Sequence, residues 1–201
     1  MSSRLAYHIL MFFFLSLTSY SNLGATDLSK PTLVVLVDIN CNFCRELHGV
    51  DQEINYLAEK AGINLVYAPI PNDADVSTAW AEKTYYACYK DSVCDSRKLL
   101  DVLYAAQDFN RLDAQEDVDM WLDMKYSGTS MHKYLNEAYK YDDSVKRMIN
   151  LAAVVRIKQF PTFVVVGDRD LTPYQIASNL DGSLSQRVNT VQNWLKNRGK
   201  P

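Results

Sequence analysis

The chain carries no surplus of positive charge: 21 Lys and Arg stand against 24 Asp and Glu, a net charge of −3, and no basic stripe or polybasic cluster occurs. That excludes the electrostatic footprint of a nucleic-acid binder and of a protein held on acidic lipid by charge, so neither partner is expected. Internal repeats and low-complexity linkers are also missing, and nothing marks a second domain. A chain of 201 residues buries one good core, so one domain is expected. Cysteine is scarce, at four residues, Cys41, Cys44, Cys88 and Cys94. His48 lies one turn beyond Cys44, yet no second ligand pair accompanies it, so neither a zinc site nor any other metal or cofactor is expected.

The start of the chain has its own pattern. Arg4 and His8 precede the apolar run Ile9 to Leu17, and small and polar residues follow. This three-part form is that of a secretory signal, with an apolar core too short to span a bilayer. Cleavage is expected after Ser21 or Ala25, giving a signal over 1–25 and a domain over 26–201; an uncleaved anchor is the alternative. Either way the rest of the chain faces an exported, oxidising space, where four cysteines can form two disulfides in any of three pairings, sequential neighbours being the simplest.

Leu33 to Val37 reads as a buried strand. From Cys41 the apolar positions Leu47, Val50, Ile54, Leu57 and Ala61 recur at helical spacing, and Gly62 ends the run. Ile63 to Pro69 reads as a second strand, so strand, helix and strand form a parallel crossover. The stretch from about 73 to about 159 is helical: Val76 to Tyr89, then Leu99, Leu103, Ala106 and Phe109 after a cap at Asp95 or Ser96, then pieces around Trp121, over Met131 to Tyr139, and from Asp142 to Val155. Its aromatic residues, Trp80, Tyr85, Tyr86, Tyr89, Trp121, Tyr126 and Tyr134, either line an apolar groove for unfolded polypeptide or fill the core, the commoner use of such spacing. Phe163 to Val166 and Leu171 to Ile176, around Gly167 to Asp170, form an antiparallel hairpin whose second strand is an edge because of Pro173. Ser183 to Gln186 is a capping box opening a last helix. This is an α/β order, that of a thioredoxin-like fold with a helical insertion between the second strand and the final β-hairpin.

The first strand leads through Asp38 into Cys41-Asn42-Phe43-Cys44. A helix N-terminus there offers unpaired N–H groups and the positive end of the macrodipole, both of which favour a thiolate. Cys41 is the candidate nucleophile and Cys44 the resolving thiol; a purely structural bridge across so short a ring would stabilise little. Asn42 and Phe43 bring no charge, so any lowering of the Cys41 pKa comes from the helix terminus and neighbours. Asp38 is placed to relay a proton to Cys44, or simply ends the strand; His48 modulates the pair or satisfies a local hydrogen bond. Arg45 and Glu46 fall on a solvated face.

The segment Val35 to His48, VLVDINCNFCRELH, resembles the active-site region of periplasmic disulfide isomerases of the DsbC and DsbG type. Phe160-Pro161-Thr162-Phe163-Val164-Val165 is similar to the strand entry of that thioredoxin-like superfamily, where a cis-proline faces the disulfide. The resemblance implies that Pro161 forms the opposite wall of the site, leaving neighbouring backbone free to pair with an extended substrate. Cys88 and Cys94 are similar in placement to the second, non-catalytic disulfide of DsbC-type proteins; bridging them requires the helix to stop between them. Three features depart from the DsbC pattern. The segment preceding the first strand is short, more like the monomeric DsbA oxidases or DsbC-like proteins of conjugative transfer systems, so a monomer is expected; Asn42-Phe43 is not a usual dipeptide; and Phe160 replaces a small polar residue. The implied function is an exported thiol–disulfide oxidoreductase, acting as oxidase, isomerase or reductase on cysteines of other exported proteins and recycled by a redox partner. The alternative is a non-catalytic thioredoxin-like binding module of an export or conjugative transfer apparatus.

Overall fold

The computed structural model describes residues 30–109, 111–126, 131–167, 173–176 and 183–198. The expected signal over 1–25, the turn residues Asp168, Arg169 and Asp170, and the closing Gly199 and Pro201 lie outside the described residues.

β1 (Thr32–Val37) is buried from Leu33 onward, as an unbroken apolar run in the middle of a sheet requires. It pairs parallel with β2 (Asn64–Pro69) and antiparallel with β3 (Thr162–Val166), and β4 (Tyr174–Gln175) adds to β3, giving the order β2-β1-β3-β4. The crossover between β1 and β2 is made by α1 (Asn42–Val50) and α2 (Gln52–Lys60).

The sequence pattern predicts one helix here, but the structure breaks it at Asp51. Val50, expected on the apolar face, is 63% exposed, whereas Asp51 is fully buried. The Asp51 carboxylate accepts from both terminal nitrogens of Arg97 and from the Tyr67 hydroxyl, and Arg97 Nη2 also donates to the His48 carbonyl at 3.3 Å. Drawing that carboxylate inward resets the helical phase, so the apolar stripe resumes at Ile54. Gly62, at φ +67°, terminates α2 in the left-handed conformation that glycine adopts without strain.

The insertion comprises α3 (Trp80–Lys90), α4 (Ser96–Ala105), α5 (Gln115–Lys125), α6 (Met131–Glu137) and α7 (Asp142–Val154), with 3-10 turns at Ala106–Asp108 and Ala138–Tyr141. α3 starts later than Val76 because aspartates hold the preceding residues in turns: Asp73 Oδ1 accepts from the Asp75 N–H and Asp75 Oδ1 from the Ser77 N–H. Every residue from Ala81 to Cys88 is buried, which makes α3 the central post of the insertion. The Tyr85 and Tyr86 hydroxyls donate to the carbonyls of Tyr67 and Pro69, at 3.1 and 3.0 Å. They thereby satisfy outward-facing groups of the edge strand β2 and dock the insertion on the sheet. Tyr85, Tyr86, Trp121 and Tyr134 are therefore core, not groove lining. Phe109, expected on the inner face of α4, is 72% exposed because the helix ends at Ala105 and the tighter turn after it shifts the phase.

Asp95 caps α4 by accepting from the Lys98 N–H at 3.0 Å. Cys88 and Cys94 are joined in a disulfide, and α3 stops at Lys90 between them. After β3 and the edge strand β4 comes α8 (Leu184–Arg198), which opens on the capping box: the Ser183 N–H donates to Gln186 Oε1 at 2.7 Å and the Gln186 N–H to Ser183 Oγ at 3.4 Å. Among the described residues no helix is long and apolar enough to cross a membrane.

Asp51→Ala strands the Arg97 guanidinium and the Tyr67 hydroxyl. It is expected to lower unfolding free energy by about 2 to 3 kcal/mol, the low side of what breaking a buried pair costs because Arg97 keeps some water. Urea denaturation checks this; a loss within error of zero would mean that Asp51 does not hold the α1–α2 junction.

Candidate active site

β1 loses its partners at Val37, and the chain turns through Asp38, Ile39 and Asn40 into α1. The turn is closed by its own backbone: the Cys41 N–H donates to the Asp38 carbonyl at 3.1 Å and the Asn40 N–H to Asp38 Oδ1 at 2.8 Å. Cys41 takes the N-cap position, with extended φ −96° and ψ 117°. Its half-buried sulfur accepts from the Cys44 thiol and from the N–H groups of Cys44 and Phe43. That bonding, the Cys44 thiol foremost, outweighs burial and the nearby Asp38 carboxylate and lowers the Cys41 thiol from 9.0 to about 7. Cys44 lies one turn deeper and fully buried, and burial pushes its thiol well up, helped by the hydrogen bond it donates to Cys41. The two free thiols are thus unequal: one accessible and easily ionised, one enclosed and protonated.

Asn42 and Phe43 are exposed beside Cys41 and bring no charge. Asp38 is buried, which raises its carboxyl against the Asn40 N–H that holds it down, and its N–H bonds the Cys44 sulfur. His48 is buried one turn beyond Cys44, its ring edge-on to Tyr67 and tilted against Tyr104 at 5.7 and 5.4 Å. Its Nε2 lies 2.8 Å from Asp101 Oδ1 but out of line for a hydrogen bond. Among the described residues no group of three or more His, Cys, Asp or Glu is arranged to hold a metal.

Pro161 directly precedes β3, whose first residue Thr162 pairs with Leu36, so Pro161 stands at the end of the sheet from which Cys41 is presented. The Phe160–Pro161 bond is cis. Phe160 is half-buried, and the Thr162 hydroxyl closes the loop on the Gln159 carbonyl at 2.6 Å.

Three further residues belong to this neighbourhood and were not expected from sequence. Arg187, on α8, is 5% exposed, donates to the Pro161 carbonyl, and lies within electrostatic range of both thiols; burial lowers its pKa. Its signal was present: Arg187 sits four residues before Val191 on the buried face, an unusual place for a cation. Gln107, in the turn after α4, donates to the carbonyls of Ile39 and Cys41, the latter at 3.3 Å, and no local pattern announces it. Glu82 is buried inside α3, and burial pushes its carboxyl up to about 8. Arg45 Nη1 to Asp108 Oδ1 at 2.7 Å and Asn40 Nδ2 to Asp113 Oδ1 at 3.4 Å add to the Gln107 contacts, so Gln107, Asp108 and Asp113 of the insertion hold the CxxC turn.

Thiolate absorbance of the reduced chain is expected to titrate with a midpoint near 7 and to vanish in Cys41→Ser. Because folding lowers this pKa from 9.0, the reduced fold gains stability as pH rises from about 7 toward 9 and loses that contribution as pH falls through 7. An ordinary cysteine midpoint would remove the basis for an activated Cys41.

No protein-family model and no curated protein matches the sequence. Among solved structures the chain is similar to reduced DsbA1 from Neisseria meningitidis, with a TM-score of 0.62 and 15% identity over 87% of this chain and 87% of that one. It is also similar to DsbA of Pseudomonas aeruginosa, with a TM-score of 0.60 and 16% identity over 88% of each chain. The MdbA protein, a thiol-disulfide oxidoreductase from Corynebacterium matruchotii, gives a TM-score of 0.52 and 17% identity over 78% of this chain and 81% of that one. These are of DsbA type, not the DsbC and DsbG type that the CxxC segment resembles, and the likeness runs over most of this chain. At such identities the likeness speaks for the fold. The chain has the thioredoxin-like fold with helical insertion of DsbA-type structures.

Proposed function

We propose that the chain is an exported thiol–disulfide oxidoreductase acting on cysteines of other exported proteins, with Cys41 as nucleophile, Cys44 as resolving thiol and Pro161 as the facing wall. The observation that carries this is the inequality of the two thiols at the α1 N-terminus, a Cys41 lowered to about 7 above an enclosed, protonated Cys44. Export is supported by the three-part N-terminal sequence and by the Cys88–Cys94 disulfide, a bond suited to an oxidising compartment.

In the oxidising direction a substrate thiolate attacks the Cys41 sulfur, the Cys41–Cys44 bond breaks, and its electron pair leaves on Cys44. Cys44 takes up a proton, as its high pKa favours. A second substrate thiolate then attacks the substrate sulfur of the mixed disulfide and expels Cys41 as a thiolate, a good leaving group at a pKa of about 7. The substrate loses two electrons to the pair, which an external disulfide oxidant restores. Reduction is the same path in reverse; in isomerisation the reduced Cys41 attacks a substrate disulfide, and a second substrate thiolate then attacks the substrate sulfur of the mixed disulfide and expels Cys41 unchanged. Asp38, whose N–H touches Cys44 and whose carboxyl is raised by burial, is the candidate proton carrier for that sulfur. Phe43, 55% exposed, is the candidate apolar contact for the incoming chain.

Cys44→Ser is expected to accumulate covalent complexes with substrate proteins, and Cys41→Ser to abolish exchange. Unimpaired function of the double variant in cells would sink the enzyme reading in favour of a binding module. A Cys41 pKa of about 7 is that of thioredoxin-like rather than strongly oxidising CxxC pairs, about 3.5 in the latter. Equilibration with glutathione is therefore expected to give a potential between about −270 and −180 mV. A value near about −120 mV would make the pair a strong oxidant instead.

A further inference from the structure

A groove of about 340 Å³ opens beside the cis-proline loop. One wall is the loop after β2, with Ile70, Pro71 and Ala74; the other is the end of α7 and the segment after it, with Ile149, Ala153 and Ile157. Phe160 closes the end next to Pro161. The groove belongs to the same end of the sheet as the thiols: the Ile70 N–H donates to the Val37 carbonyl at 2.9 Å, and Val37 is four residues before Cys41. Four residues of chain span at most about 14 Å. A side chain about four residues from a substrate cysteine bonded at Cys41 is therefore within reach.

Lys158 gives the rim a positive charge. Arg156 and Lys158 line the groove and are exposed, and no Asp or Glu side chain lines it. Asp73 and Asp75, on either side of the lining residue Ala74, are turned into their own loop, Asp73 accepting from the Asp75 N–H and the Thr78 hydroxyl and Asp75 from the Ser77 N–H. The space is of a size that takes one or two side chains, with apolar walls and a cationic rim.

We infer that this groove is a substrate subsite that takes an extended polypeptide segment next to the reacting cysteine, with a bulky apolar side chain between Ile70 and Ile157 and a carboxylate side chain against Lys158. The inference rests on the oxidoreductase reading and adds the class of substrate: apolar and acidic residues flanking the cysteine. Charge complementarity carries it, together with the continuity of the groove with Phe160 and Pro161. The exchange step is unchanged: the peptide thiolate bonds to Cys41, the Cys41–Cys44 bond breaks, and Cys44 takes the proton.

The test uses the oxidised full chain and three reduced peptides in which the four residues on each side of a cysteine are drawn from Leu and Glu, from Leu and Lys, or from Ser and Gly. Acid quench, thiol alkylation and mass spectrometry give the rate of Cys41–Cys44 opening for each. The Leu–Glu peptide is expected to react about tenfold faster than the Leu–Lys peptide and about tenfold faster than the Ser–Gly peptide, as burial of one apolar side chain and favourable rather than repulsive rim charge allow. Lys158→Glu is expected to cut the acidic-over-basic ratio by about fivefold or more. Ala153→Trp, at an exposed helix position, fills the groove and is expected to bring the apolar-over-polar ratio to about one. Equal rates for the three peptides, or ratios that neither variant moves, would overturn the subsite. Opening of the native pair by dithiothreitol separates this from the parent reading: opening without peptide discrimination removes only the subsite, and no opening by any thiol removes both.

Discussion

The site depends on what happens to a central strand where its ladder stops. β1 has a partner on each edge as far as Leu36 and Val37, and beyond that point its backbone groups need other partners. The Asp38 carbonyl takes the Cys41 N–H, the Asp38 carboxylate takes the Asn40 N–H, and the Asp38 N–H goes to the Cys44 sulfur. Satisfying these groups forces the chain into a tight turn and starts α1 with Cys41 at its cap. That placement sets the Cys41 sulfur against the Cys44 thiol and the first amides of the helix, and the low Cys41 pKa follows from those hydrogen bonds, the thiol's foremost, without any charged neighbour in the dipeptide.

The rest of the chain braces this turn. Tyr85 and Tyr86 fix α3 to the exposed side of β2, which sets where α4 and the following turn lie. From there Gln107 reaches the carbonyls of Ile39 and Cys41, and Asp108 and Asp113 meet Arg45 and Asn40. On the opposite side Arg187 of α8 holds the carbonyl of Pro161. The helical insertion thus holds the CxxC turn and the terminal helix holds the cis-proline loop, each through side-chain hydrogen bonds to backbone carbonyls.

Much of this was legible in the residues. The apolar run of β1, the glycine at 62, the capping box at Ser183 and the strand-turn-helix setting of the CxxC pair are local signals, and each sits where local physics puts it. The break at Asp51 was not, because its cause is Arg97, 46 residues away. Phe109 misled for the same kind of reason, since an α-helical period was extended across a turn of different pitch. Gln107 and Glu82 are set by packing between segments and leave no periodic trace. Arg187 was readable as a cation in an apolar stripe. The likeness in the CxxC segment pointed to DsbC and DsbG, whereas the solved structures that the chain resembles are of DsbA type, because a short motif reports one turn and the structural likeness spans most of the chain.

The burial of Cys44 has a consequence for chemistry that is not exchange. Seen from solvent, the reduced pair is a monothiol: one sulfur is offered at the surface and the other is 0% exposed beneath it. Reagents that grip by two sulfurs, soft metal ions and trivalent arsenicals among them, must bond Cys41 before they reach the Cys44 sulfur hydrogen-bonded to it. The enclosure of one thiol therefore imposes an order on any reagent that takes two sulfurs, Cys41 first and Cys44 second.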